Sequence, residues 1–328
     1  MAEIGEDIEL AAEILRNGGV VAIPTETVYG LAANGLNPNA VAKIYEIKQR
    51  PSFNPLILHL SNIDQMQKFA KDIPAMAEIL AHKFWPGPLT LVLKKQSIVP
   101  DLTTAGHPSV ALRMPLHPIT LNLLKLLDFP LAAPSANPFG YISPTTAQHV
   151  QENLGDKISY ILDGGACKVG LESTIVSLLN PEAQILRFGA ITQEQILEIT
   201  GKIKVPTIAS FADIVAPGML KSHYAPKTPL IFGEITEESG VRNSASNVLL
   251  NYQKYKIFAP EATQFILTQS GDMEEAAKNL FEMLRKIDSM GVDKIFAEPV
   301  PPFGIGLAIN DRLNRASINV DNENKFGN

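Results

Sequence analysis

Short apolar runs alternate with stretches of helical period along most of this chain, and that alternation limits the folds open to it. Runs at Gly19–Pro24, Leu56–Leu60, Leu89–Lys94, Ser109–Met114, Leu131–Pro134, Tyr160–Leu162, Thr174–Leu179 and Gln184–Phe188 read as strands. Between them, Asp7–Gly19, Asn39–Lys48, Ile63–Phe84, Ile119–Leu127 and Gln193–Thr200 read as helical. The first of these stops at Gly18-Gly19, because glycine accepts a left-handed backbone. Strands and helices mixed in this way predict an α/β fold, with one sheet and helices packed on it.

Residues 1–207 form one such unit. A proline-rich stretch, 208–229, has no sustained period and reads as a linker, yet it holds Lys221, His223 and Tyr224, which a plain spacer does not need. Beyond it, 230–328 reads as a smaller α/β domain. Its strands are expected in PLIFGEI, KIFAP, QFILTQ and KIFAEPV, and a long amphipathic helix in SGDMEEAAKNLFEMLRKIDSMG.

Composition removes several function classes. With 328 residues, 45% of them hydrophobic, the chain has ample material for two cores. No window suits a membrane helix, the N-terminus is acidic where a signal peptide is basic, and Cys167 is the sole cysteine, which together suggest a cytoplasmic protein. A net charge of −6 argues against bulk electrostatic binding of nucleic acid. There is no GxxxxGK[ST], GxGxxG or GxSxG motif in a suitable context, and the histidines lack close metal spacing.

What remains is a set of cations and small polar groups at the ends of apolar runs. Lys48 and Arg50 stand where a helix yields to Pro51, one a compact charge and the other a bidentate fork, with Asn54 and His59 following. Arg113 closes the run from Ser109, and a buried arginine there needs either a protein acid or a ligand carboxylate as partner. IPTETVYGLAANGL and LAAPSANPFGYISPTTA each follow an apolar strand with proline and then polar groups. The first offers Thr25, Glu26, Thr27 and Tyr29, of which all but Thr27 read as shaping the turn; the second offers Ser135, Asn137 and Ser143. DGGACKVGLESTIVSL adds glycines before Ser173 and Thr174, and Arg187 ends a further strand. Such groups bind and position anions, which is most of what phosphoryl or adenylyl transfer requires.

The ordered set PTETVYGLAANG, IKQRPSFNPLILH, ALRMP, PSANPFGYISPT and DGG…ESTIV resembles the YrdC-like family. With PGMLKSHYAP and GVDKIFAEPVPPFGIGLAINDRLNRAS, the whole length resembles its two-domain form. The resemblance implies a twisted mixed sheet followed by a Rossmann-like α/β domain. It also implies synthesis of threonylcarbamoyl-AMP and pyrophosphate from L-threonine, bicarbonate or CO₂, and ATP with Mg²⁺ carried on it. A tRNA threonylcarbamoyl-transfer machinery downstream would consume the product. Carried over by motif, Lys48, Arg50, Ser135 and Asn137 would be the catalytic tetrad. Arg50, Asn54, Ser109, Ser135, Ser143 and Arg187 would line ATP, with His223 or Tyr224 arriving on the linker as a lid. Thr27, His59, Arg113, Ala133 and Ser173 would hold threonine. The contrasting expectation is an RNA-binding module without catalysis, and a weak RNA contact is compatible with either.

Overall fold

The computed structural model describes residues 1–205, 216–218, 223–237, 239 and 246–317. Lys221 and most of the expected linker lie outside the described residues. The chain divides into two compact units, Met1–Phe139 with Ser143–Leu220, and Gly140–Ile142 with Lys221–Asn328.

The strands of the first unit are β1 (Glu3–Gly5), β2 (Val21–Ile23), β3 (Gly30–Asn34), β4 (Ile57–His59), β5 (Leu89–Lys94) and β6 (Ser109–Arg113). They continue with β7 (Leu131–Ala132), β8 (Tyr160–Leu162), β9 (Thr174–Ser177), β10 (Ala183–Arg187) and β11 (Ile203–Lys204). All join one mixed sheet of 11 strands in the order β1-β8-β2-β3-β7-β4-β6-β5-β9-β10-β11. Helices α1 (Ile8–Arg16), α2 (Pro38–Lys48), α3 (Met66–Phe69), α4 (Ala75–Phe84), α5 (Asp101–Thr104), α6 (Pro118–Lys125), α7 (Ala147–Leu154) and α8 (Gln193–Thr200) complete it. Local chemistry fixes their ends. Asp7 caps α1, Asn37 caps α2 ahead of Pro38, and Thr192 with Gln195 forms a capping box on α8.

The two faces of the sheet are treated differently. Leu58, Leu91, Leu93, Val110, Leu112, Val176 and Ile185 belong to the main core, together with residues of α2, α4 and α7. Their immediate chain neighbours Ile57, Val92, Ala111, Ile175 and Leu186 form a separate small cluster with Ala216. This is the two-residue alternation of a strand at work. On that second face, α1 and α6 cover only part of the sheet, packing with Val21, Ile23, Ala32, Leu131, Ala133, Tyr160 and Leu162. Over β4, β6, β5, β9 and β10 this face carries the small cluster with Ala216 instead.

The second unit holds β12 (Leu230–Phe232), β13 (Asn247–Asn251), β14 (Thr263–Ile266) and β15 (Lys294–Ala297) in an all-parallel sheet of order β12-β15-β13-β14. Helices α9 (Met273–Asp288) and α10 (Gly306–Ala316) accompany it.

Two strand expectations need correction. KIFAP is not a strand: Ile257 is 92% exposed, Lys256 pairs with Glu298, and Pro260 has no N–H to give a ladder. The strand lies instead in the preceding NVLLN, every residue of which is buried. In the other direction, GLAAN in the opening motif is a strand that the sequence does not advertise, since glycine and alanine have weak strand preference. Its pairing with β2 and β7 supplies what propensity lacks.

One glycine is required by packing. A Cβ at Gly189 would collide with the backbone of Glu172, Ser173 and Thr174. Gly189→Ala is therefore expected to cost about 1–3 kcal/mol of unfolding free energy, seen as a lower midpoint in a urea titration with an unchanged slope.

Candidate active site

Several of the residues singled out from sequence lie on the second face of the sheet. His59 and Arg113 end the parallel strands β4 and β6 and stand in register opposite each other. Both point away from the main core, since their neighbours Leu58 and Leu112 point into it. Ser109 shares that face at the start of β6, and Ser173 enters it just before β9. Arg187 reaches it by an irregularity: the register of β9 and β10 shifts between Ile185 and Arg187, so Arg187 falls opposite Ile175. A bulge re-aims a side chain in this way.

Arg113 has found a protein acid. Its guanidinium lies 2.8 Å from Glu26 Oε1, with both side chains at most 5% exposed, and donates to Thr27 Oγ1 at 2.9 Å. The other oxygen of Glu26 accepts from Leu116 N at 3.0 Å, and its carbonyl accepts from Val169 N at 2.8 Å. Thr25 serves the turn itself, accepting from the backbone N–H groups of Thr27 and Val28. Tyr29 does likewise, its hydroxyl donating toward Asp163 and Gly165 O.

Lys48, 2% exposed, donates to Ser135 O at 2.6 Å and to Asn137 O. It thereby ties the end of α2 to the loop after β7. Burial, and then the charge of Arg50, hold its pKa well below the ordinary lysine value. Arg50 folds its fork around its own loop, donating to Asn54 O at 3.0 Å, Asn54 Oδ1 at 2.6 Å and Pro55 O at 2.9 Å. Ser143 donates to Glu172 Oε1 at 2.5 Å. Ser173 shares a 2.7 Å hydrogen bond with Thr90, and Arg187 donates to Ser173 O, Ser173 Oγ and, at 3.2 Å, Pro217 O. Ala133 N donates to Ile57 O at 3.1 Å beside them. Among the described residues, Asn54 Nδ2, His59 Nδ1 and Arg113 Nε are buried with no hydrogen-bond partner. Buried groups of that kind fit a polar ligand, because each costs free energy until it is satisfied.

His223 and Tyr224 belong to the second unit. Tyr224, at φ 65°, packs edge-on to His223, stacks on Phe281 at 5.7 Å, and lies under the Arg312 guanidinium at 5.1 Å. Cys167 is buried, and desolvation raises its thiol pKa to about 12, so it is a packing residue. Of the partners Glu26, Glu172 and Thr90, the latter two do not stand out from sequence, while Glu26 is part of the opening motif but reads there as shaping the turn.

Fold and site together define an α/β protein with a buried, cation-rich surface on a mixed sheet. The profile of the Sua5/YciO/YrdC family, described as "Telomere recombination", matches residues 13–189, and that described as "Threonylcarbamoyl-AMP synthase, C-terminal domain" matches 191–317. The threonylcarbamoyl-AMP synthase of Pyrococcus abyssi is 43% identical over 94% of this chain and 94% of its own length. The Bacillus subtilis threonylcarbamoyl-AMP synthase is 41% identical, covering 94% and 92%. The crystal structure of P. abyssi Sua5 complexed with L-threonine superposes with a TM-score of 0.88 at 41% identity, over 96% of this chain and 97% of that one. The chain belongs to the Sua5/YciO/YrdC family, in its two-domain form.

Burial and the nearby Arg113 charge lower the His59 pKa from 6.5 to about 3. Between those values the unfolded chain binds a proton at this position and the folded chain does not, so stability is present above pH 6.5 and declines as pH falls toward 3. Denaturant titrations across that window are expected to show a shallower decline for His59→Asn than for the native chain.

Proposed function

We propose that this chain condenses L-threonine, bicarbonate or CO₂, and ATP to threonylcarbamoyl-AMP and pyrophosphate, the activated donor for threonylcarbamoyladenosine next to the tRNA anticodon. The observation that carries this reading is the juxtaposition of the Arg113–Glu26–Thr27–His59 cluster with the cations of the same face, in a chain so similar to threonylcarbamoyl-AMP synthases along its length.

The chemistry asks for positioning more than for covalent help. The threonine ammonium loses a proton, its amine adds to the carbon of CO₂, and a second proton leaves nitrogen to give the carbamate; bicarbonate enters by taking up a proton and losing water to give CO₂. A carbamate oxygen attacks the α-phosphorus of ATP, the bond to the bridging oxygen breaks, and pyrophosphate leaves with that electron pair. Arg113 is held by Glu26 and Thr27 with Nε still unpartnered, which suits the threonine carboxylate. His59 is neutral at physiological pH and offers a ring nitrogen rather than a second charge beside Arg113. Ser173 and the backbone at Ala133 complete the amino-acid side of this reading.

On the nucleotide side stand Arg50, Asn54, Ser109, Ser135, Asn137, Ser143 and Arg187. Lys48 acts here by fixing the Ser135–Asn137 loop through two carbonyls. Arg50 orders Asn54, whose Nδ2 faces no protein acceptor and suits a phosphate or base oxygen. Mg²⁺ arrives with the triphosphate and offsets its charge. The lid reading of the linker draws support from Ala216 and Pro217, which lie against the apolar floor and Arg187. Within that reading, His223 or Tyr224 supplies the linker's contact with ATP. The product passes to a tRNA threonylcarbamoyl-transfer machinery.

Incubation of the pure protein with threonine, bicarbonate, ATP and Mg²⁺ is expected to release pyrophosphate only when threonine is present. Threonine-independent release, or none, would overturn the reading. Arg113→Lys keeps a charge opposite Glu26 and loses the fork, so the threonine KM is expected to rise about tenfold or more with the ATP KM within about twofold. Equal rises in both would show that the pocket is divided otherwise.

A further inference from the structure

Residues Gly140–Ile142 interrupt the first unit. Phe139 and Ser143 belong to it, while the three residues between them pack with the second. Ala225 N donates to Gly140 O at 2.8 Å, and Ala225 forms an isolated parallel bridge with Tyr141. The Tyr141 hydroxyl donates to Asp288 Oδ2 at 2.7 Å, and Asp288 Oδ1 accepts from Thr228 N at 2.8 Å. Arg285, 6% exposed, donates to Ile142 O and lays its guanidinium 5.0 Å from the centre of the Tyr141 ring. Arg285 and Asp288 come from the last turn of α9, at a spacing that puts them on one side of the helix.

On either side of this strap the chain is fixed to the candidate site. Before it, Asn137 O accepts from Lys48 Nζ, and Phe139 N donates to Lys48 O at 2.9 Å. After it, Ser143 Oγ donates to Glu172 at 2.5 Å, and Pro144 O accepts from Tyr29 N at 2.9 Å. Asn137 and Ser143 are thus each three residues or fewer from a segment whose path α9 determines. Contacts between a hydroxyl and a carboxylate, or between a guanidinium and an aromatic face, are directional and well suited to hold such a path.

We infer that Tyr141, Arg285 and Asp288 are positioning residues for the nucleotide side of the site. Through them α9 fixes Gly140–Ile142, and with that segment the course of the loop carrying Asn137 and Ser143. The inference rests on the reading of that loop as part of the ATP site.

Tyr141→Phe keeps the ring over Arg285 and removes only the hydroxyl; Asp288→Asn keeps the shape of the acceptor and removes its charge. Both are to be made singly and together in the full chain. Without substrates, backbone amides in 136–143 are expected to exchange at least about fivefold faster in each variant, with the β4 and β6 amides unchanged. In the pyrophosphate assay the ATP KM is expected to rise about five- to twentyfold, the threonine KM to stay within about twofold, and the double variant to be no worse than the stronger single one. Unchanged exchange at 136–143, or faster exchange with the ATP KM unmoved or matched by the threonine KM, overturns the assignment. If the native chain releases no threonine-dependent pyrophosphate, the functional reading fails, and the exchange data still judge the strap.

Discussion

The ion pair between Glu26 and Arg113 is the interaction on which the arrangement of the first domain depends. Both charges are almost fully removed from water. A pair of that kind contributes little net stability compared with apolar residues of the same shape, but losing one partner costs about 3–5 kcal/mol because the other is left buried and uncompensated. Glu26 is also bonded to the segments at Leu116 and Val169, and Arg113 to Thr27. One residue therefore ties the β2–β3 connection to the end of β6 through its carboxylate and to the glycine-rich segment through its carbonyl. The same positive charge, added to burial, keeps His59 neutral.

The sheet makes room for this corner by an uneven division of labour. One face is sealed by helices. On the other, α1 and α6 occupy the part near β2 and β8, and the remaining strands present a floor of Ile57, Val92, Ala111, Ile175 and Leu186. Charged groups set around an apolar floor feel a lower dielectric than they would at the surface, so each of their interactions with an anion is strengthened. Lys48 shows the accompanying cost: its charge is disfavoured by burial and by Arg50, and the two carbonyls it grips are what offset this.

Much of the fold was legible because apolar runs of strand length rarely have another explanation. β5, β8 and α8 lie where the pattern puts them. Failures occurred where tertiary pairing overrides composition: β3 is built from glycine and alanine, and β13 was passed over for the apolar but exposed KIFAP segment. That His59 and Arg113 stand together could be anticipated, because each closes an apolar strand. Their protein partners could not. Whether Arg113 meets an acid depends on a connection folded over from β2, which no local spacing encodes. The excursion of Gly140–Ile142 was equally silent, since it is defined by what α9 offers and not by the three residues themselves.

The register shift in β10 shows how little sequence can separate a site residue from a core residue. Ile185 packs in the main core and Leu186 stands on the other side by plain alternation, but Arg187 joins Leu186 there only because the ladder slips between 185 and 187. With the ladder in regular register through these residues, Arg187 would pair one position further along β9 and turn its guanidinium toward the helices, with composition unchanged. The address of that cation is written in an irregularity of backbone pairing. An unpaired residue in the ladder thus decides which side of the sheet carries the charge.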